Sequence, residues 1–248
     1  MTDLDLRGRT AVVTGAGDGI GRALALRAAA EGMALTLCDV DADRLAQTTA
    51  MAQAHGATVA SAVLDVRDAP ALQRLAAATP GSIALVFANA GLLRPGPVLS
   101  QPASKIQLML DVNVMGAVNT LQAFLPKMTA QAQASRAVIT GSQASFLLFA
   151  NLGAYCATKH ALLALAESLA QELAATPVGV SLLAPGAVAT AIYGEANSPN
   201  AAAGISPETA AVIAFAGARR GDFLISTHAD LATRLAVRQT VQQTMLAR

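Results

Sequence analysis

The sequence predicts a single α/β domain, residues 1–248, in which helices cover both faces of a doubly wound parallel sheet of about seven strands. Three observations favour this fold. The chain has 248 residues, enough for one such domain with a sizeable core. Short β-branched or apolar runs alternate with longer helical patterns along its length. The first run leads into a glycine-rich loop and then a helical pattern, which is the order found at dinucleotide-binding sites.

Composition excludes several classes of partner. The formal net charge is +1 and no basic block stands out, so we expect no nucleic acid and no membrane as partner. Cys38, Cys156 and three scattered histidines have no metal-ligand spacing, so we expect no metal site. The first residues carry acids and no signal-peptide pattern, which favours a cytoplasmic protein. Because only 13% of residues are charged, part of the surface is expected to be buried between subunits.

The first strand and the loop after it predict a phosphate site. The strand, Thr10–Thr14, runs into the loop at Gly15, and a helix is predicted over residues 22–31. Glycines in such a loop let the backbone approach a pyrophosphate closely, and amides at the helix start then face the anion. The spacing Gly15, Gly19, Gly21 differs from the six-residue dinucleotide fingerprint.

The second strand, residues 34–38, ends at Asp39, where an acid would lie against the adenosine ribose hydroxyls. We favour that role over capping of the next helix, residues 41–55. A 2′-phosphate beside Asp39 would be repelled, and neither of the flanking residues considered, Asp18 and Val40, offers a positive charge. The cofactor is therefore expected to be NAD rather than NADP.

Two further strands, residues 58–64 and Ile83–Ala88, also end at candidate cofactor residues. Asp65 follows the first of them and could accept a hydrogen bond from the adenine amino group, or cap the helix that begins after Asp68. Small residues follow the second strand, in the run Asn89–Ala90–Gly91, and would let the backbone pass close beside a cofactor.

Candidate catalytic groups surround the fifth strand, residues 137–140. Ser142 lies where this strand ends, and Tyr155 and Lys159 lie one helical turn apart on the helix that follows. A lysine charge about 4 Å from a phenol is worth about 4 kcal/mol at an effective dielectric of about 20, which is about three pKa units. A tyrosine so placed can exchange protons near neutral pH. Asn113, in the middle of a long helix predicted over residues 104–128, is unfavourable there and indicates a packing bond or a kink.

The last third of the chain contains predicted substrate-facing elements. The predicted elements are a sixth strand at residues 178–183, a lid at 187–205, a helix at 207–218, a short strand at 223–226 and a final amphipathic helix at 229–246. The lid prediction rests on a loop-like stretch rich in glycine, proline and asparagine. Residues 146–149, which connect Ser142 with Tyr155, could line the substrate pocket or pack under the lid, and we favour the pocket.

Taken together, these residues resemble the short-chain dehydrogenase/reductase superfamily, in its single-domain Rossmann-fold subfamily. The residues that carry the resemblance are Thr14 to Gly21, Asp65, Asn89 to Gly91, Asn113, Ser142, Tyr155, Lys159, Pro185, Gly186, Val188 and Thr190. The resemblance implies that Tyr155 is the general acid–base and that Lys159 lowers its pKa and binds the nicotinamide ribose. It also implies that Ser142 binds the substrate oxygen and that Asn113 holds a water of a proton relay.

The same resemblance implies the cofactor contacts. They are Gly15, Gly19 and Ile20 at the phosphates, Asp39 at the adenosine ribose, Asp65 and Val66 at the adenine, Asn89 beside that ribose, and Val188 and Thr190 at the nicotinamide carboxamide. Further cofactor contacts are expected from Asp18, Ala90, Gly91, Tyr155, Lys159, Pro185 and Gly186. The sequence departs from many relatives in its last helix, which replaces their usual short tail. This departure leaves the far wall of the pocket and the subunit contacts open.

The expected function is an NAD-dependent oxidoreductase acting on a secondary alcohol and its ketone, with an apolar substrate body. One alternative is an NADPH-dependent 3-oxoacyl reductase, which would require basic residues near Asp18 or Val40, and none is identified. The other is a sensor that binds NAD without turnover, although such proteins usually lose members of the Ser–Tyr–Lys set. A homo-oligomer, dimer or tetramer, is expected from the resemblance.

Overall fold

The computed structural model describes residues 4–193 and 204–246. Within them, seven parallel strands form one sheet in the order β3-β2-β1-β4-β5-β6-β7. The strands are β1 Thr10–Thr14, β2 Ala34–Asp39, β3 Val59–Val63, β4 Ile83–Ala88, β5 Ser135–Thr140, β6 Val178–Ala184 and β7 Leu224–Ser226. The strand order reverses between β1 and β4, so the crevice of a doubly wound sheet opens there. The predicted doubly wound Rossmann fold is confirmed.

Helices follow the strands in alternation. They are α1 Gly19–Ala30, α2 Ala42–Ala54, α3 Ala69–Ala78, α4 Ala103–Met109, α5 Gly116–Ala130, α6 Gly153–Glu172, α7 Pro207–Arg220 and α8 Leu231–Leu246. Asp18, Asp41 and Asp68 cap α1, α2 and α3 by accepting hydrogen bonds from backbone amides of the first turn. Because Asp18 caps α1, that helix begins three residues earlier than predicted.

The core lies on both faces of the sheet, as the alternation of side chains along each strand requires. Val13 points to one face with Leu24 of α1, Leu45 of α2 and Phe215 of α7. Val12, its neighbour, points to the other face, among side chains of α3 and α5. Helix α6 covers the same face further along, beside β5 and β6. The two layers of helices are therefore set by the period-two pattern of the buried strands.

The long helix predicted over residues 104–128 is interrupted in its middle. A π-helical segment, Leu110–Met115, joins α4 to α5, and Asn113 lies inside it. The predicted kink is thus a widened turn. The whole segment, Ala103–Ala130, is long and apolar enough to cross a membrane by length and composition alone, but it lies against α3, α6 and β4.

Two elements predicted in the last third of the chain, the lid and the final helix, are described in part. The lid, residues 187–205, lies largely outside the described residues, which include its ends: Ala189 donates a backbone hydrogen bond to Ile205, and Ile205 donates one to Ala187. Helix α8 starts at Leu231 rather than at residue 229. Leu231 and Leu235 pack against Leu147, which joins the first turns of α8 to the loop after β5.

Candidate active site

A cleft of about 780 Å³ opens at the carboxyl ends of the strands, on both sides of the β1/β4 switch. All but one of the predicted site residues line it. The lining members are Gly15, Asp18, Gly19, Ile20, Asp39, Asp65, Val66, Asn89, Ala90, Gly91, Ser142, Tyr155, Lys159, Pro185, Gly186, Val188 and Thr190. Asn113 is the exception and lies behind the lining. Residues from six strand ends are therefore brought together in one site.

The glycine loop is packed so closely that side chains are excluded from two of its positions. Gly15 has a φ of +65°, and a Cβ there would lie 2.8 Å from the Cα of Ala90. Gly19 has a φ of +52°, and a Cβ there would lie 2.9 Å from the methyl carbon of Thr190. The loop leads into the N-terminus of α1, where free amides favour an anion. This arrangement fits the pyrophosphate of a dinucleotide.

Asp39 is held in place at the end of β2 by two backbone amides. Its Oδ2 accepts a hydrogen bond from Gly17 N at 2.7 Å, and its Oδ1 accepts one from Asp41 N at 2.9 Å. The cap of α2 is Asp41, so Asp39 is not needed for capping. Its carboxylate lines the cleft, and its predicted contact with a ribose stays a prediction.

The expectation that no basic residue lies near Asp18 is wrong. Arg44, in the first turn of α2, lines the cleft, and its Nη1 is 3.0 Å from Asp18 Oδ2. Its Nε is 3.4 Å from Asp41 Oδ2. The guanidinium therefore lies between two carboxylates at the adenosine end. Arg44 is 26 residues from Asp18 in the chain and reaches it only because α2 packs beside the glycine loop, which the sequence does not reveal.

Asp65 lines the cleft but has a partner that the sequence reasoning also missed. Both of its oxygens accept hydrogen bonds from Arg67, at 2.9 Å from Nε to Oδ2 and 2.6 Å from Nη2 to Oδ2, with Oδ1 at 3.0 Å from Nε. These bonds hold the pKa of Asp65 below its usual value. The cap of α3 is Asp68, so Asp65 does not serve there. Any adenine contact of Asp65 would be made by a carboxylate already paired with Arg67.

Asn89 ties together the strands that form the floor of the cleft. Its side-chain amide donates to Thr14 O at 3.1 Å, and its Oδ1 accepts from Thr140 Oγ1 at 3.2 Å. The ends of β1, β4 and β5 are thereby joined. The following residues, Ala90 and Gly91, expose backbone to the cleft, because they have little or no side chain.

Tyr155 and Lys159 are buried in the first turns of α6, with 7% and 3% of their surface exposed. Lys159 Nζ lies 5.6 Å from the centre of the tyrosine ring and donates a hydrogen bond to Thr140 O at 2.8 Å. Burial lowers the pKa of Lys159 to about 8, because the ammonium loses water and gains no carboxylate partner. A weakly held proton and a phenol are therefore adjacent inside the cleft.

Ser142 lies where β5 ends, at the start of a short 3₁₀ turn, Gln143–Ser145. Its Oγ accepts a hydrogen bond from Ala144 N at 3.1 Å, and lies 3.4 Å from Pro185 O, to which it can donate. The hydroxyl is thus oriented by the ends of β5 and β6. It lines the same cleft as Tyr155, as the sequence predicts.

Asn113 is almost fully buried and acts on the cleft wall from behind. Its Oδ1 accepts from Leu92 N at 2.8 Å, and its Nδ2 donates to Leu92 O at 2.9 Å and to Thr158 Oγ1 at 3.1 Å. The loop after β4 is therefore fastened to the π-helical segment and to α6. The predicted packing bond is present, and the predicted water relay stays a prediction.

The prediction that residues 146–149 line the pocket is wrong for three of them. Only Phe149 lines the cleft. Phe146 packs against the hydrophobic core, Leu147 is buried against α8, and Leu148 is 67% exposed. Four consecutive side chains in a turning segment point in different directions, so one face of it cannot hold them all.

The residues at this end that were not predicted include two whose polar side chains contact each other. Gln143 follows Ser142, and Arg234 reaches the cleft from α8. Arg234 Nη1 donates to Gln143 Oε1 at 2.7 Å. A signal for Arg234 was available: it lies three residues after Leu231 and one before Leu235, and so shares their buried helix face.

Comparison with known proteins identifies the family of this chain. A family model described as short chain dehydrogenase matches residues 9–201. A 1-deoxy-11-beta-hydroxypentalenate dehydrogenase from Streptomyces avermitilis is 38% identical over 240 residues, covering 94% of this chain and 89% of that protein. Its counterpart from Streptomyces exfoliatus is 34% identical over 240 residues, covering 94% of this chain and 87% of that protein.

Solved structures give the same result. A short-chain dehydrogenase/reductase from Burkholderia phymatum, in complex with NAD, is 32% identical with a TM-score of 0.91, covering 97% of this chain and 96% of that chain. The family match spans most of the chain and includes the glycine loop, Ser142, Tyr155 and Lys159. This chain therefore belongs to the short-chain dehydrogenase family of oxidoreductases.

Proposed function

We propose that the chain is an NAD-dependent oxidoreductase that interconverts a secondary alcohol and its ketone on a substrate with an apolar body. The observation that carries this proposal is the placement of Tyr155 beside Lys159, with Ser142, in one cleft that continues to the glycine loop. A bound nicotinamide would supply the acceptor or donor of the hydride.

The side chains of the cleft provide the proton chemistry. In alcohol oxidation, the ionised Tyr155 oxygen takes the proton of the substrate hydroxyl, while the carbinol hydrogen leaves with its electron pair. In ketone reduction, Tyr155 returns that proton to the carbonyl oxygen. The Ser142 hydroxyl donates to the substrate oxygen as negative charge develops on it. The Lys159 ammonium favours the ionised form of Tyr155, because a nearby positive charge stabilises a phenolate.

The adenosine end favours NAD over NADP. Asp39 holds two backbone amides and presents a negative charge where a 2′-phosphate would need to lie. Arg44 lines this end of the cleft, but Asp18 and Asp41 both pair with it. The NAD in the Burkholderia phymatum structure supports the same choice.

The substrate end supports an apolar body. Leu93, Phe149, Leu152 and Ile192 line the cleft close to Tyr155 in one hydrophobic cluster. Burial of such side chains against a substrate is worth about 25 cal/mol per Å² of apolar surface. The name of the Streptomyces avermitilis relative, a hydroxypentalenate dehydrogenase, agrees with a hydroxyl as the reacting group.

The test is a screen of secondary alcohols with NAD and with NADP, following the absorbance of the reduced cofactor. We expect turnover with NAD, and the Tyr155→Phe variant should lose about 10²–10⁴-fold in kcat while binding NAD within about twofold of the parent. NAD binding without turnover of any alcohol or ketone would identify a sensor. Preference for NADPH and 3-oxoacyl substrates would identify the reductase alternative. Near-normal turnover in Tyr155→Phe would remove the mechanism.

We also expect a homo-oligomer, dimer or tetramer, that acts in the cytoplasm. Large apolar side chains of the π-helical segment and of α6 are exposed, namely Leu110, Met115 and Leu165. Burial of that face between subunits would remove them from water. Light scattering of the purified protein distinguishes a monomer from either assembly.

A further inference from the structure

The two ends of the cleft differ in charge. Four aspartates line the adenosine end, namely Asp18, Asp39, Asp41 and Asp65. Among the described residues, no Asp or Glu lines the substrate end around Ser142 and Tyr155, whereas two arginines, Arg94 and Arg234, do. An apolar cavity that exposes guanidinium groups and no carboxylate favours an anionic ligand group.

Arg234 is held in a defined position. Its Nη1 donates to Gln143 Oε1 at 2.7 Å, and its Cζ lies 5.4 Å from the centre of the Phe149 ring. Gln143 is itself fixed, because its Nε2 donates to Asp230 Oδ1 at 3.0 Å. Since Gln143 directly follows Ser142, the guanidinium is attached to the turn that orients the Ser142 hydroxyl. A preorganised cation of this kind binds with little loss of side-chain freedom.

The guanidinium retains donors for a ligand. Its only hydrogen bond to a described residue is made by Nη1, so Nε and Nη2 form none within the described part of the chain. The acid that pairs with Arg234 among the described residues is Asp230, whose Oδ2 lies 3.6 Å from Arg234 Nη1; the two side chains are 40% exposed for Arg234 and 55% exposed for Asp230. An exposed ion pair at that distance is weak. It reduces the positive charge without occupying the planar edge of the guanidinium, which suits a carboxylate.

Arg94 is the less suitable of the two cations. It is exposed, and its Nη1 donates to Leu93 O, the carbonyl of its own neighbour in the chain. Among the described residues, no aromatic ring or side-chain amide contacts its guanidinium, and the amide of Gln101 donates only to its backbone oxygen, at 2.7 Å. Its long side chain would lose more freedom on binding a ligand than Arg234 would.

We propose that the substrate is an apolar secondary alcohol that also carries a carboxylate, and that Arg234 binds this carboxylate. This inference rests on the proposed function, because it places the reacting hydroxyl at Tyr155. The substrate hydroxyl then lies at Ser142 and Tyr155, and the substrate carboxylate lies at Arg234 in the same pocket. One negative charge suits the site better than two, since Asp230 offsets part of the positive charge.

Binding to the protein in complex with NADH tests the proposal without requiring turnover. The probes are cyclohexanecarboxylate and its neutral methyl ester, titrated against the fluorescence of bound NADH. The parent should bind the acid about tenfold or more tightly than the ester, and Arg234→Gln should reduce this ratio to about one. Arg234→Lys, which keeps the charge, should retain part of the preference. Thermal unfolding of each variant establishes that it folds.

Two further variants make the assignment specific. Arg238→Gln removes a positive charge one turn along α8, where Arg238 contacts His160 rather than the cleft, and should leave the acid preference unchanged. Arg94→Gln should change it by less than about threefold. Equal binding of acid and ester by the parent, or loss of the preference in Arg94→Gln but not in Arg234→Gln, would overturn the proposal.

Kinetics then separate this inference from the function on which it rests. Pairs of hydroxy acids and their methyl esters, such as 4-hydroxycyclohexanecarboxylate, should show the acid preference mainly in KM. Arg234→Gln should abolish this preference, so that acid and ester have similar KM values. Turnover of esters as efficiently as acids refutes the carboxylate site and leaves the oxidoreductase standing. Tight acid binding without turnover of any alcohol refutes the oxidoreductase, and the proposed substrate class with it.

Discussion

Replacing Lys159 with methionine should remove a specific pH dependence of stability. Burial lowers the pKa of Lys159 from 10.5 to about 8. Each pKa unit corresponds to about 1.4 kcal/mol, so burying the ammonium costs about 3 kcal/mol of unfolding free energy. The residue is almost fully buried, so solvent screening reduces this figure little. The methionine side chain has a similar length and carries no charge.

The sign follows from the protons bound in each state. Below pH 8 the lysine is charged in both the folded and the unfolded chain, and the whole cost is present. Between pH 8 and 10.5 the unfolded chain holds the proton and the folded chain releases it, so the free energy of unfolding rises with pH. Above pH 10.5 the lysine is neutral in both states, and burying it no longer lowers the free energy of unfolding. The stability of Lys159→Met relative to the parent should therefore fall by about 2–3 kcal/mol from pH 7 to pH 10.

Urea unfolding of the parent and the variant at several pH values measures this difference. Loss of the hydrogen bond to Thr140 O changes the unfolding free energy of the variant by a similar amount at every pH. It therefore does not produce the predicted pH dependence. Lys105→Met serves as the matched control, because Lys105 is exposed on α4, and it should follow the parent at every pH. If Lys159→Met and the parent show the same pH dependence, the burial argument is refuted. Turnover of Lys159→Met should also fall by at least about 100-fold.

Two further substitutions test the adenosine end and the π-helical segment. Asp39→Ser should raise the ratio of kcat/KM with NADP to that with NAD by about tenfold or more, since it removes a carboxylate and leaves Arg44 nearby; an unchanged ratio in steady-state kinetics would contradict this. Asn113→Ala removes three hydrogen bonds that include both backbone groups of Leu92, and should lower the unfolding free energy by about 2–4 kcal/mol. Calorimetry should show a clear fall in Tm, and a Tm within about 1 °C of the parent's would contradict it.

The strands and the site residues on their ends could be predicted from the sequence. Buried parallel strands are continuous apolar runs, so β1 and β4 were predicted with the bounds that the structure has. Because parallel strands end at one edge of the sheet, Asp39, Asn89 and Ser142 could be placed in one cleft before any coordinates. The tightly packed glycine loop was detectable because glycine alone tolerates the backbone at Gly15 and Gly19.

Two arginines that reach the cleft from helices, Arg44 and Arg234, cannot be placed there by the positions of strand ends. Arg44 contacts Asp18 because α2 packs across the loop, and that packing depends on tertiary contacts rather than on neighbours in the chain. Arg234 depends on the docking of α8 through Leu231. The π-helical turn has no sequence pattern of its own, and Asn113 indicated only that the helix was under some constraint.

The π-helical segment fixes the length of the helix that contains it. An α-helix advances about 100° per residue, and the widened turn accommodates one extra residue between α4 and α5. With that residue present, α4 packs against α6 while α5 packs against α3 and β4. Deleting a single residue between Leu110 and Met115 would restore an ordinary helix but rotate one half by about 100° relative to the other. Either the α6 contact or the sheet contact would then be lost, so we expect changes of length to be accepted in the loops that flank this element and not within it.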